Sequence, residues 1–134
     1  VVAACATSAL WSIFQITGKE YQHEIPTPVE ITEIATQLVE ELVPGILPNR
    51  GLTARQMIYA IRKMNLDPRV INARDSFGLK AALYAYLQVG FPMALNVHLV
   101  DMSPTPSPDF DDFPGHAIAV VGYSLDDDDP IEPY

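Results

Sequence analysis

The stretch Gly115-His116-Ala117-Ile118-Ala119-Val120-Val121-Gly122-Tyr123 decides how this chain is read. Its unbroken apolar run, rich in β-branched residues and closed by glycines, predicts a strand over His116 to Tyr123. Pro114 and Gly115 let the backbone turn sharply just before it. The histidine is therefore expected to open the strand at the rim of a sheet, where a ring nitrogen can face a cleft; the plain alternative, favoured for the residue taken alone, is a structural histidine with satisfied hydrogen bonds. A second strand is predicted over Met93 to Leu99, after Gly90-Phe91-Pro92. The link between the two includes Ser-Pro-Thr-Pro-Ser-Pro, Ser103 to Pro108, a semi-rigid extended segment that reads as a plain inter-strand loop.

Everything upstream reads mostly as helix. Ala6, Leu10, Ile13 and Phe14 follow helical spacing, and Gly18 is the expected stop, followed by a polar loop from Lys19 to Pro26. Thr27-Pro28-Val29-Glu30 supplies an N-cap, a proline at the first helical position and a capping-box glutamate. Ile31, Ile34, Ala35, Leu38 and Leu42 then make one apolar stripe, ended by Pro44-Gly45. Thr53 and Gln56 form a second capping-box pair, with Met57, Ile58, Ile61 and Met64 as the buried face of the third helix. Pro68 ends it, and Arg69 to Asn72 reads as a short strand. A fourth helix covers about Phe77 to Val89, with Leu79, Leu83, Tyr86 and Leu87 inward and Gly90 as its stop. Helices first and strands late indicate an α+β fold. Residues 1–134 form one domain, large enough to bury a core without disulfides or metals; the chain is either complete or a truncated form of a longer one.

The formal net charge is −9, much of it in Asp109 to Asp112 and Asp126 to Asp129. That disfavours nonspecific attraction to nucleic acid or anionic lipid, which requires a basic surface. No apolar run approaches the ~20 residues of a membrane span. No signal-peptide pattern is visible, although the chain opens at Val1-Val2 without a methionine, which leaves room for a removed leader or an upstream segment. Asp109 to Asp112 lacks the ligand spacing, central glycine and closing glutamate of a calcium loop. One cysteine and three scattered histidines do not make a zinc site, and there is no glycine-rich phosphate loop. No cofactor is expected.

A single cysteine excludes an internal disulfide and raises the question of a nucleophile. Cys5 stands at the start of the first helix, where unpaired N–H groups and the helix dipole favour a thiolate. Ala9 and Ser12 on the same face are small enough for another element to approach closely. The plain alternative is a small core residue with no chemistry. His116 is the best-placed base; His23 lies in a polar loop and His98 sits between Val97 and Leu99. A fold can bring a distant cysteine and histidine within hydrogen-bond reach.

Four segments in order, Cys5-Ala-Thr-Ser-Ala-Leu-Trp11, Gly51-Leu-Thr-Ala-Arg-Gln-Met-Ile-Tyr-Ala-Ile61, Val89-Gly-Phe-Pro-Met-Ala-Leu-Asn-Val97 and Gly115 to Tyr123, resemble the papain-like cysteine peptidases. They are most similar to the bacterial double-glycine leader peptidases and proteins related to them. The resemblance implies a papain-like fold, with N-terminal helices packed on a C-terminal antiparallel sheet. It implies a thiol hydrolase acting on peptide or amide bonds, with a peptide or protein substrate. Cys5 would be the nucleophile, His116 the general base and Asp128, flanked by Asp127 and Asp129, the group that orients the imidazole. Two departures accompany it. The family's oxyanion glutamine lies several residues before the cysteine, and the four residues ahead of Cys5 include none; a Gln or Asn shortly upstream of Val1 would favour catalysis. Nor does a second apolar strand separate the His strand from the aspartates. A catalytically silent peptide-binding or structural domain is the alternative implied by those departures.

Overall fold

The computed structural model describes residues 4–42, 51–73, 75–97 and 116–124. Four helices, α1 (Cys5–Tyr21), α2 (Pro28–Leu42), α3 (Ala54–Lys63) and α4 (Ser76–Gln88), precede two strands, β1 (Met93–Val97) and β2 (His116–Val120). The fold is α+β, and its described sheet is a small antiparallel pair.

Capping explains where the helices begin. The Thr27 backbone N–H donates to Glu30 Oε2 at 2.7 Å, and the Glu30 N–H donates to Thr27 Oγ1 at 3.3 Å, so two otherwise orphaned amides at the start of α2 are satisfied. Thr53 and Gln56 repeat the device on α3, with the Thr53 N–H to Gln56 Oε1 at 2.8 Å and the Gln56 N–H to Thr53 Oγ1 at 3.3 Å. Asp75 caps α4 by accepting from the Gly78 N–H at 2.7 Å. Gly90 follows α4 with φ +83°, the left-handed conformation that a side chain resists.

Gly18 does not stop the first helix. It lies buried inside α1, which runs on to Tyr21 and turns at Gln22 in the left-handed region. A Cβ at Gly18 would collide with Ile25 Cγ1, so this glycine makes room for the chain folding back against the helix rather than ending it. The polar loop is correspondingly shorter than expected. His23 closes it as a structural residue: its Nδ1–H donates to the Glu24 carbonyl at 2.6 Å, its Nε2 is hydrogen-bonded with the Thr17 hydroxyl at 2.8 Å, and its ring packs edge-on to Phe14.

The core is gathered by α1, α2 and α3. Leu10, Phe14, Ile31 and Ala35 are fully buried, with Ala6, Ala9, Met57 and Ala60 around them. Thr7 bridges α1 and α2: the Thr32 hydroxyl already donates to the Pro28 carbonyl, so the Thr7 hydroxyl donates to Thr32 Oγ1 at 3.1 Å. On α3, Met57 is buried and Ile61 and Met64 pack against the core, as their spacing indicates, whereas Ile58 lies toward the outer face beside Arg55, Tyr59 and Arg62. The side chains of Leu38 and Leu42, and the Pro44-Gly45 stop, lie outside the described residues.

Three further expectations are corrected. Arg69 to Asn72 form no strand; Val70 and Ile71 are exposed and pair with nothing among the described residues. The strand expected to reach Tyr123 ends at Val120, opposite Met93. Pro92 stands just before Met93 and has no N–H to extend the ladder, so pairing stops there. On α4 no residue is fully buried, and the four residues expected inward are only half-buried.

Candidate functional site

Cys5 is the first residue of α1 and is half-buried, packed against the core cluster. The N-cap residue, Ala4, makes no side-chain capping bond and the first turn of α1 has no acidic residue, so among the described residues no side chain caps its N-terminal N–H groups. His116 is the first residue of β2, half-buried and paired across the ladder with Val97.

Small side chains bring the two elements together. Ala117 is buried in the same cluster as Ala6 and Ala9 of α1, and Cys5 and Ala119 both lie against that cluster. Alanines on both sides allow the helix and the strand to approach at close range. Of the small residues expected to permit this, Ala9 is buried, while Ser12 turns its hydroxyl to the Ser8 carbonyl at 3.0 Å. The helix bearing the cysteine therefore packs directly on the strand opened by the histidine.

Strand alternation adds a constraint. Ala117 and Ala119 share the face turned to α1, so His116, Ile118 and Val120 belong to the other face. Val120 meets α4 there, and Ile118 is exposed. Among the described residues no hydrogen bond joins Cys5 and His116.

Asp128 and its neighbours Asp126, Asp127 and Asp129 lie outside the described residues, as do His98, Ser103 to Pro108 and Asp109 to Asp112. Among the described residues, no three His, Cys, Asp or Glu side chains cluster as a metal site, and no helix is long and apolar enough to cross a membrane.

Two shallow hollows stand out among the described residues, and neither is lined by Cys5 or His116. The first, about 230 Å³, lies between Leu83, Tyr84 and Leu87 of α4 and Val120 and Tyr123, with the two tyrosine rings edge-on at 5.4 Å. The second, about 340 Å³, is lined by Arg55, Ile58, Tyr59 and Arg62 of α3. On α4, Tyr84 lines the first hollow, while the Tyr86 ring centroid lies 6.4 Å from that of Phe91. Gln56, read from the sequence as a capping-box residue, is buried, and among the described residues its Nε2 has no hydrogen-bond partner. The capping-box spacing was the available signal, since a glutamine that reaches back to its own helix start is drawn in with the first turn.

No family model, no curated protein and no solved structure matches this chain.

Proposed function

We propose that the protein is a papain-like thiol hydrolase acting on peptide or amide bonds. The observation that supports this reading is the packing of an uncapped helix start bearing the chain's one cysteine onto the strand opened by His116. In the proposed reaction the Cys5 thiolate attacks the substrate carbonyl carbon, and the oxygen takes the negative charge. The Cys5 backbone N–H is one donor for that oxyanion. The imidazolium of His116 then gives its proton to the leaving amine as the carbon–nitrogen bond breaks, leaving a thioester. A water molecule, deprotonated by His116, attacks the thioester and frees the acid and the thiol. Asp128 orients the imidazole.

A second reading is a silent module that keeps the fold to hold a peptide. The face parity of β2 favours it, because His116 shares a face with Ile118 rather than with Ala117. Iodoacetamide alkylation of Cys5 across pH, in wild type and in His116→Ala, tests the first reading. The expected result is rapid alkylation at pH values well under the ~8.5 of an ordinary thiol, lost on substitution. Slow alkylation, identical in both proteins, would leave the silent module as the better account.

A further inference from the structure

We infer, resting on the thiol chemistry proposed above, that Asn96 is a catalytic residue whose side-chain amide holds the oxyanion together with the Cys5 backbone N–H.

The register of the sheet places this side chain. Asn96 of β1 pairs directly with Ala117 of β2 in the antiparallel ladder. Directly paired residues project to the same side of a sheet, with their Cα atoms about 4.5–5.5 Å apart. Ala117 is buried in the cluster that holds Ala6 and Ala9 of α1, and Cys5 lies against that cluster. Asn96 therefore belongs to the face on which the cysteine-bearing helix packs, together with Ala94, Ala117 and Ala119. It is the polar member of that set. α1 touches β1 as well as β2. Yet Ala94 and Asn96 are exposed where Ala117 is buried, so the helix covers the β2 side of the face and leaves the β1 side open. Asn96 stands on that open side, beside the helix and within reach of a substrate.

The residue type suits the task. The rest of β1, Met93, Ala94, Leu95 and Val97, is apolar. Asparagine is depleted in strands, because its amide competes locally with the ladder for backbone groups, so strand propensity does not explain it here. Its Nδ2 carries two N–H donors. When the thiolate attacks, negative charge grows on the carbonyl oxygen, and donors already aimed at that oxygen lower the barrier. The Cys5 N–H is one such donor and Asn96 is the second. An orienting role toward the imidazole fits less well, because His116 belongs to the opposite face of β2.

Two reagents that modify Cys5 separate this role from a structural one. Iodoacetamide reacts at a saturated carbon and forms no oxyanion, whereas p-nitrophenyl acetate does. In the second reaction Cys5 Sγ bonds to the acetyl carbonyl carbon and the carbonyl oxygen takes the charge. Re-forming the carbonyl expels p-nitrophenolate with the electron pair of the broken carbon–oxygen bond, and water then hydrolyses the acetyl thioester. Cys5→Ala supplies the background rate for both reagents. Asn96→Ala is expected to slow acylation by at least about tenfold while leaving the alkylation rate and its pH profile unchanged. Asn96→Asp, whose carboxylate has no N–H to donate, is expected to lose at least as much, and Asn96→Gln to recover part of the rate. Ala94→Ser, at the exposed neighbour on the same face, is expected to change neither reaction. Circular dichroism checks that each variant is folded. Equal acylation of wild type and Asn96→Ala overturns the inference while the thiol chemistry stands. Loss of the acid limb of alkylation in Asn96→Ala also overturns it, by making the residue an orienter of His116. Wild-type alkylation that is slow and indifferent to His116→Ala removes the thiol chemistry, and the inference with it.

Discussion

The two halves of this chain bury their apolar residues very differently. Of the hydrophobic residues buried among the described positions, all but one lie between Ala6 and Ala60; the exception is Ala117. The later half is no poorer in apolar side chains, but Val70, Ile71, Phe77, Val89, Phe91, Ile118, Val121 and Tyr123 are exposed. The difference lies in what each element has to pack against. The first three helices meet one another on several sides, whereas among the described residues α4 packs chiefly against β1, Val120 and Tyr123. The proposed nucleophile stands in the well-packed half and the proposed base in the open one. Holding the two in register falls chiefly to the contact of Ala117 with α1.

Core substitutions are the strongest way to break this contrast. Phe14→Ala, at a fully buried position, should cost about 3–5 kcal/mol in urea unfolding, while Leu87→Ala on half-buried α4 should cost about 1 kcal/mol. Equal losses would mean that the halves are equally packed. Gly18→Ala sharpens the point at one site. Alanine's better helix propensity, worth about 1 kcal/mol, is outweighed by the collision with Ile25, and the His23 carbonyl at 3.3 Å limits relaxation. A net loss of about 1–2 kcal/mol is expected; a gain would mean that Ile25 gives way to the added methyl group.

Smaller effects follow at the caps. Thr53→Ala removes the acceptor for the Gln56 amide and should cost about 1 kcal/mol by the same measurement. Exposed Phe77 should tolerate Phe77→Ser within about 0.5 kcal/mol. Glu30 gives the smallest effect. The backbone hydrogen bond from Thr27, and then the one from its hydroxyl, hold the carboxyl below the ordinary glutamate range. A depressed folded-state value means the contribution is present above the unfolded pKa, about 4.3, and is lost as pH falls through the folded value. The stability difference between wild type and Glu30→Gln should therefore shrink on acidification; a constant difference from about pH 6 to about pH 3 would remove Glu30 as the titrating cap.

Local chemistry was the most legible part of the sequence. Thr27 to Glu30 and Thr53 to Gln56 declare their helix starts because capping is decided within four residues. Gly90 declares a stop for the same reason, since a positive φ is a local property. Gly18 was misread because the argument for it is tertiary: nothing adjacent announces that Ile25 will return to that point. Val70 and Ile71 carry strand propensity, but a strand also needs a neighbour. The placement of Cys5 and His116 at element starts was readable from the pattern. Their relative orientation was not, because it depends on which face of β2 meets α1, and a one-residue change of parity reverses the answer.

Ala117 also sets a timetable. On the ribosome, α1 is complete about 95 residues before the strand that completes its cluster begins, a wait of about 5–20 s at ordinary elongation rates. For that interval Ala6 and Ala9 face water or the partly assembled helices. The last buried apolar contact of the N-terminal cluster is therefore made late in synthesis, and the nascent chain depends during that time on the packing of α1 with α2 and α3 alone.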